Sequence, residues 1–209
     1  MENTNKKRIV LIGASGHGKV CADIAELLGY GEILFLDDDQ NLENCGRYKV
    51  AGSSSDFEKF IDNDTVFFVS IGNAQTRKRI QSEIIRNGAT VCKLIHPNSV
   101  IGSGVYIGEG TAVMAGAVLN SGAIIGNGCI VNTCSSVDHD CKIGEFCHIS
   151  VGAHVSGTVE IGNDTWIGAG AIAINNIKIC RDCMIGAGAV VVNDICIPGT
   201  YVGVPARMM

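Results

Sequence analysis

Residues 143–167 read IGEFCHISVGAHVSGTVEIGNDTWI, with an aliphatic residue at every sixth position. The same spacing runs unbroken from Ile95 to Ile197, with alanine once in place of a larger side chain. A period of six is neither helical nor that of a plain strand, and it indicates short strands separated by corners. Because three such strands close one triangular coil, the eighteen aliphatic positions predict about six stacked coils.

Two further positions of each six-residue unit are restricted. The residue after the aliphatic one is often glycine, as at Gly126 and Gly144, and we expect unusual backbone dihedral angles there. The fourth residue after the aliphatic one is mostly small and suits the narrow interior of the coil. Four of the ten cysteines occupy this slot, namely Cys129, Cys141, Cys147 and Cys183. We therefore expect them to be core residues, and we expect no metal site.

The composition predicts a globular protein of the cytoplasm. The chain has 209 residues, 46% of them hydrophobic, and a net charge of -5. No segment is basic enough to indicate nucleic-acid binding, and no apolar run is long enough for membrane insertion. The polar start, residues 1–8, has neither the pattern of a signal peptide nor that of a transit segment. We predict two domains, comprising residues 1–94 and 95–209.

Residues 1–94 alternate between strand and helix patterns. Strands are predicted at 8–13, 33–36 and 66–71, with a short one near Val91, and helices at about 19–28, 57–61 and 75–86. This alternation favours a small parallel sheet with helices on its faces, which is a Rossmann-like α/β domain.

The carboxyl ends of parallel strands are the expected place for a ligand in such a domain. The predicted substrate-binding residues there are Gly13, Ser15, Gly16, His17, Gly18, Asp37, Asp38, Gly72, Asn73 and Arg77. Backbone amides at a helix start favour phosphate, and Asp37 follows its strand where a ribose-binding acid would lie. The spacing Gly-x-x-Gly-x-Gly argues against NAD. A structural alternative is that the glycines only form a tight turn.

His139 stands out among the residues of the repeats because Asp138 and Asp140 flank it. A neutral imidazole can take up a proton at physiological pH, and a neighbouring carboxylate stabilises the imidazolium. Adjacent strand residues point to opposite faces, so a pair between His139 and Asp140 requires a corner. Asp138 or a carbonyl group could orient the ring instead.

Over nearly its whole length the chain resembles the bacterial sugar acetyltransferases of the hexapeptide-repeat family, which include bacillosamine-pathway N-acetyltransferases and sialic acid O-acetyltransferases. The matching segments are GASGHG at 13–18, FLDD at 35–38, IGN at 71–73, VDHDCKIGEFCHIS at 137–150 and YVGVPAR at 201–207. The resemblance implies that the coil is a left-handed parallel β-helix. It also implies acetyl-CoA as co-substrate and a homotrimer with active sites between subunits.

The same resemblance implies roles for individual residues. His139 would be the general base and Asp140 its orienting acid. The residues expected to contact acetyl-CoA are His148, Gly157, Gly168, Gly170, Ala187, Gly188 and Arg207, and Asn132 joins the substrate-binding set. Trp166 follows His148 by eighteen residues, so it could stack on that histidine. We favour the alternative, in which it packs in the trimer interface.

These observations favour acetyl transfer from acetyl-CoA to the amino group of a UDP-linked amino sugar, of the 4-amino-4,6-dideoxy type. The same base could activate a hydroxyl, which leaves O-acetylation of a sugar such as sialic acid as the first alternative. A second alternative is a metal-dependent hydratase, which would require His139, His148 and His154 to converge across an interface. The nucleotide-like N-terminal domain favours the N-acetyltransferase.

Overall fold

The computed structural model describes residues 8–209. The chain forms two compact units, one ending at Pro97 and the other beginning at Asn98. This division lies slightly later than the boundary predicted after residue 94. Within the described residues, no helix combines the length and the apolar character needed to cross a membrane.

The N-terminal unit contains a three-stranded parallel sheet. The strands of the unit as a whole are β1 (Arg8–Ile12), β2 (Glu32–Leu36), β3 (Asn44–Cys45), β4 (Tyr48–Lys49), β5 (Thr65–Val69) and β6 (Leu94–Ile95). Its helices are α1 (Gly16–Leu27), a 3₁₀ helix (Ser54–Phe60) and α2 (Ala74–Arg86). The sheet has the order β2-β1-β5, with Arg8 opposite both Glu32 and Thr65. Because all three strands are parallel, their carboxyl ends lie at one edge of the sheet, as predicted.

The core of this unit explains why the sequences of its strands do not alternate between apolar and polar residues. All five residues of β5 are buried, and the residues of β1 after Arg8 are also buried. Burial on both faces is typical of a parallel strand covered by helices. The sequence missed the short antiparallel hairpin of β3 and β4. The strand predicted near Val91 is a single bridge to Phe67.

The second unit is a stack of two- to four-residue strands. In chain order these are β7 (Val100–Ile101), β8 (Tyr106–Ile107), β9 (Ala112–Val113), β10 (Val118–Leu119), β11 (Ile124–Ile125), β12 (Ile130–Val131), β13 (Ser136–Val137), β14 (Lys142–Ile143), β15 (His148–Ile149), β16 (His154–Val155), β17 (Glu160–Ile161), β18 (Trp166–Ile167), β19 (Ile172–Ala173), β20 (Lys178–Ile179), β21 (Cys183–Ile185), β22 (Val190–Val191), β23 (Gly199–Val202) and β24 (Arg207–Met208).

Every third strand belongs to the same sheet. Within residues 98–209, the first sheet is β7-β10-β13-β16-β19-β22, the second is β8-β11-β14-β17-β20, and the third comprises β9, β12, β15, β18, β21, β23 and β24. Partners in neighbouring coils are eighteen residues apart, as when Val118 lies opposite Ser136. Apart from the antiparallel pair of β23 and β24, the strands are parallel. Three such sheets with this coil length are the architecture expected of the left-handed parallel β-helix of hexapeptide repeats.

The corners between strands differ from the prediction. Between residues 104 and 188, the residues with positive φ are the third after an aliphatic position, not the glycines that follow it directly. At Gly126 and Gly144, an added Cβ would lie 2.7 Å or less from atoms of the next coil. The expectation of unusual dihedral angles there is therefore wrong, because these glycines are required by the close approach of stacked coils.

Cysteines fill the interior as expected. Cys129, Cys141 and Cys147 are completely buried and Cys183 nearly so. All ten cysteines are free thiols. Within residues 8–209, no cluster of three or more His, Cys, Asp or Glu side chains is arranged to hold a metal ion.

Candidate active site

His139 and Asp140 occupy a corner between the first and second sheets, after β13 and before β14. Asp140 has a left-handed backbone with a φ of 58°, which interrupts the strand alternation. The two side chains therefore meet, with His139 Nδ1 2.9 Å from Asp140 Oδ2. This is the corner that the pairing required, and it brings the carboxylate of Asp140 to the ring of His139.

The hydrogen bond to Asp140 determines which nitrogen of the His139 imidazole carries the proton. A carboxylate only accepts, so Nδ1 carries the proton and Nε2 of the neutral ring keeps a lone pair. The pKa of His139 is raised, chiefly by this hydrogen bond and further by the charges of Asp138 and Asp140. The side chains of His139 and Asp140 are 57% and 67% exposed. The corner thus presents a basic nitrogen on an accessible surface.

Asp138 has a different role from Asp140. Its Oδ1 accepts the backbone N–H of His139 and the side-chain amide of Asn120, each at 2.8 Å. The hydrogen bond from Asn120 is the main reason that the pKa of Asp138 is lowered. Asp138 therefore fixes the backbone of His139, whereas Asp140 fixes its ring. Asn120 was not predicted, although its distance of eighteen residues from Asp138 places it on the adjacent coil.

Gly157 lies against the imidazole from the next coil. A Cβ at this position would be 2.5 Å from Nε2 of His139. The N–H of Thr158 donates to the carbonyl of His139 at 2.9 Å, which holds the two coils in register. Glycine at 157 therefore leaves the basic nitrogen uncovered.

A second cluster lies on the third sheet. The rings of His148 and Trp166 stack with centroids 4.7 Å apart and planes inclined by 29°. His148 Nε2 is 3.1 Å from the amide nitrogen of Asn132, and Trp166 donates to the hydroxyl of Ser150 at 2.6 Å. Trp166 therefore stacks on His148, which is one of the two arrangements considered for it and not the favoured one. Asn132, one of the predicted substrate-binding residues, lies beside His148.

The other residues predicted to contact acetyl-CoA lie away from the corner of His139. Gly168 is buried, and the strands β18 and β19 place Gly168 and Gly170 between the third and first sheets. Gly188 is stacked on this edge, because its N–H donates to the carbonyl of Ala169. Ala187, Gly188 and Arg207 are exposed. Only Gly157 of the predicted glycines therefore shares an edge with His139.

The N-terminal unit contains a cavity at the carboxyl ends of its strands. Its volume is about 250 Å³, and its lining comprises Ile12, Gly13, Ser15, Leu36, Asp37, Asp38, Ser54, Ile71 and Gly72. Five of the predicted substrate-binding residues are in this lining. Helix α1 begins at Gly16 beside it, and Ser15 and Gly16 are exposed. Backbone amides at such a helix start can bind phosphate oxygens.

The two aspartates shape the cavity by binding loop backbone. Asp37 accepts the N–H of Ala14 at 2.6 Å and that of Asp39 at 2.9 Å. Asp38 accepts the N–H of Ser54 at 2.8 Å. These hydrogen bonds leave each carboxylate with further acceptor capacity for a ribose hydroxyl.

Two predicted residues support the loops around the cavity. Arg77 is completely buried and donates to the carbonyls of Ile71 and Gly72 at 2.7 and 2.8 Å. Asn73 caps α2 through a hydrogen bond from the N–H of Thr76. Arg77 therefore positions the loop and has no surface with which to touch a ligand, contrary to the expectation.

The glycines of this loop differ in their surroundings. A Cβ at Gly13 would be 2.7 Å from Ile71, and one at Gly18 would overlap the carbonyl oxygen of Gly13. Gly16 has open space instead. Burial, together with the charge of Arg77, lowers the pKa of His17 to about 4. His17 is therefore neutral at physiological pH and can donate or accept a hydrogen bond.

Comparison with known proteins identifies both units. The family described as PglD N-terminal domain matches residues 8–84, and the bacterial transferase hexapeptide family matches residues 158–193. A curated relative, UDP-N-acetylbacillosamine N-acetyltransferase of Bacillus subtilis (strain 168), is 31% identical over 113 residues. That match spans 52% of this chain and 52% of the relative, which is about half of its length.

Solved structures match almost the whole chain. The acetyltransferase domain of PglB from Neisseria gonorrhoeae FA1090 is 38% identical with a TM-score of 0.94, and the match covers 97% of this chain and 100% of that domain. PerB from Caulobacter crescentus, in complex with CoA and GDP-perosamine, is 32% identical with a TM-score of 0.91, and the match covers 96% of each chain. The chain therefore belongs to the bacterial sugar acetyltransferases of the hexapeptide-repeat family that carry a PglD-type N-terminal domain.

Proposed function

We propose that this protein transfers the acetyl group of acetyl-CoA to the amino group of a UDP-linked 4-amino-4,6-dideoxy sugar. The observation that carries the proposal is the His139–Asp140 pair, whose geometry leaves Nε2 of a neutral imidazole as a base on an accessible surface. Support comes from relatives of the same family, since the PglB domain has been solved with acetyl coenzyme A and PerB with CoA and GDP-perosamine.

In the proposed reaction the neutral amine attacks the carbonyl carbon of the acetyl thioester. A C–N bond forms and Nε2 of His139 takes a proton from the amine. The C–S bond then breaks, and the CoA thiolate that leaves takes up a proton, so that the proton held by the imidazolium balances the reaction and His139 returns to its neutral form. Asp140 stabilises the imidazolium formed in this step. The tetrahedral oxyanion requires a hydrogen-bond donor, for which a backbone amide near the thioester or His148 is suitable.

The nucleotide is assigned to the N-terminal cavity. The amide groups at the start of α1 would bind phosphate, and Asp37 or Asp38 would accept a ribose hydroxyl. Because Arg77 is buried, we assign it to positioning the loop at Ile71 and Gly72. This assignment accounts for the N-terminal unit, which a reaction on a free sugar would leave without a role.

We also propose that the protein is a homotrimer with its active sites between subunits. Gly157 and His139 share one edge of the coil, whereas Gly170 and Gly188 lie on another, so a cofactor that touches both sets requires a second copy. Outward positions of the first and third sheets carry apolar side chains that are 37–58% exposed, namely Val100, Trp166, Ile172 and Met184. On the second sheet, Tyr106 and Ile124 are also exposed, whereas the later strands carry Glu160 paired with Lys142 and Lys178, which is typical of a solvent-facing surface.

The named relatives favour nitrogen over oxygen as the acceptor. Both the bacillosamine enzyme and the perosamine enzyme are N-acetyltransferases. O-acetylation therefore has less support than it had from the sequence alone. The cytoplasmic location remains a prediction.

The substrate is tested by incubating the protein with acetyl-CoA and a panel of UDP-, GDP- and CMP-linked sugars with and without a 4-amino group. We expect CoA release only with an amino sugar, and fastest with the UDP-linked one, because the amine is the nucleophile. Isothermal titration should show binding of UDP but not of CMP, and light scattering of the same sample should give the mass of a trimer. Acetylation of CMP-sialic acid or of a free sugar in preference to every amino sugar would contradict the proposal.

A further inference from the structure

Three stacked coils meet at the corner that holds His139. Residues 120–122 lie on one side of residues 138–140, and residues 156–158 lie on the other. The N–H of Asp140 donates to the carbonyl of Ser121 at 3.1 Å, and the N–H of Thr158 donates to the carbonyl of His139 at 2.9 Å. The corner is therefore fixed by backbone hydrogen bonds on both sides, and its side chains lie between the neighbouring coils.

The carboxylate of Asp140 rests over Gly122. One of its oxygens, Oδ2, binds His139, and the other, Oδ1, lies 2.8 Å from where a Cβ of Gly122 would be. Real Cβ atoms are almost never that close to another atom, so any side chain at 122 would displace the carboxylate. The room that allows Asp140 to reach the imidazole is thus supplied by the adjacent coil.

Backbone conformation alone does not explain why residue 122 is a glycine. Gly122 has a φ of 75°, but Asp140, Thr158 and Asn176 occupy the next corners of the same edge with φ values of 58°, 61° and 62°. Three residues with side chains therefore adopt this conformation on the same edge. What distinguishes Gly122 from them is the carboxylate above it.

We propose that Gly122 is a positioning residue for the His139–Asp140 pair, because its missing side chain provides the space in which the carboxylate of Asp140 orients the imidazole. This inference rests on the proposed role of His139 and adds a residue to that site. Gly122 does not itself touch the basic nitrogen, so it acts only through Asp140.

The chain offers a matched control at Gly104. Gly104 lies on the same edge, one coil before Gly122. Its φ of 70° is nearly that of Gly122, and the nearest atom to a Cβ added at Gly104 would be the backbone nitrogen of Gly122, at 3.9 Å. Alanine at either position therefore bears a similar backbone cost. Only alanine at 122 collides with the carboxylate.

The test compares Gly122→Ala with Gly104→Ala by NMR titration of the His139 ring in the absence of substrate. Its pKa in Gly122→Ala should fall in the direction that Asp140→Asn produces, because displacement of the carboxylate weakens the hydrogen bond to Nδ1. Gly104→Ala should titrate like the unaltered protein. The charged groups near the ring are Asp138 and Asp140, and neither residues 120–122 nor 156–158 have titratable side chains. The titration therefore reports on the two aspartates.

Activity provides a second readout. Gly122→Ala should lower kcat by about tenfold or more and move the acidic limb of the rate profile to lower pH, whereas Gly104→Ala should do neither. In an Asp140→Asn background the same substitution should have little further effect, because residues that act as a unit are not additive.

Two results would overturn the inference. The first is a His139 titration that is the same in Gly122→Ala and Gly104→Ala. The second is loss of folding, by thermal unfolding, in Gly122→Ala but not in Gly104→Ala, because the glycine would then serve the coil as a whole. The titration does not depend on acetyl transfer. If the titration of His139 changes in Gly122→Ala but the unaltered protein shows no acetyltransferase activity, the proposed function fails while the inference about Gly122 stands.

Discussion

His139→Ala is expected to lose about 10²–10⁴-fold in kcat while keeping its fold and its affinity for acetyl-CoA. The loss follows from the geometry, since Nε2 of His139 is the basic atom at the corner and Asp140 is bonded to the other ring nitrogen. A general base contributes to the transition state and not to ground-state binding of the cofactor, so kcat should fall more than KM rises. Steady-state kinetics with the amino sugar as varied substrate measures this difference.

A surface variant close by serves as the control for His139→Ala. Lys142 follows the same corner, is exposed and pairs with Glu160 at 3.8 Å. Lys142→Ala should leave kcat near that of the unaltered protein, because an exposed ion pair contributes little to stability. Full activity of His139→Ala, or an equal loss in both variants, would remove His139 from the mechanism.

Asp140→Asn has the second largest expected effect, and its signature is a shift in pH dependence. The pKa of His139 is raised mainly by the hydrogen bond to Asp140. Because a base acts in its neutral form, kcat/KM should rise with pH through this raised pKa. In Asp140→Asn the rise should move to lower pH, and the plateau should fall by about tenfold or more because the imidazolium loses its anionic partner. Asparagine tolerates the left-handed backbone at 140, so the corner should persist.

Asp138→Asn is the matched control for this prediction. Asp138 receives the backbone N–H of His139 and the amide of Asn120, so it does not hold the ring. Its charge is a smaller influence on the pKa of His139 than the hydrogen bond to Asp140. The acidic limb should therefore move less in Asp138→Asn than in Asp140→Asn. The reverse order would show that Asp138 is the orienting acid.

The period of six predicted most of the coil, because one aliphatic residue per strand must face the interior at a fixed interval. It also placed Trp166 over His148, since residues eighteen apart are neighbours on adjacent coils. What it misassigned was the role of the glycines. Close contact between coils requires glycine, and a left-handed corner favours it without requiring it. The sequence shows each glycine but does not show which of these two reasons accounts for it.

The candidate site was predictable where it depends on neighbours in sequence and less so elsewhere. The corner at Asp140 followed from the need for His139 and Asp140 to meet. Asn120 and Gly122 were missed, although the eighteen-residue stacking could have found them, because nothing local to 120–122 indicates chemistry. Arg77 was misassigned for a similar reason, since its burial depends on how α2 packs against the sheet.

The measurement that tests the central claim most directly is a crystal structure of the protein with CoA and the best UDP-amino sugar of the panel. The proposal predicts that the amino nitrogen of the sugar lies within about 3.2 Å of Nε2 of His139, or is joined to it by one water molecule. It also predicts that Nδ1 of this ring remains bonded to Asp140. An amino nitrogen that lies beside a different base, with the ring of His139 facing away from it, would contradict the account.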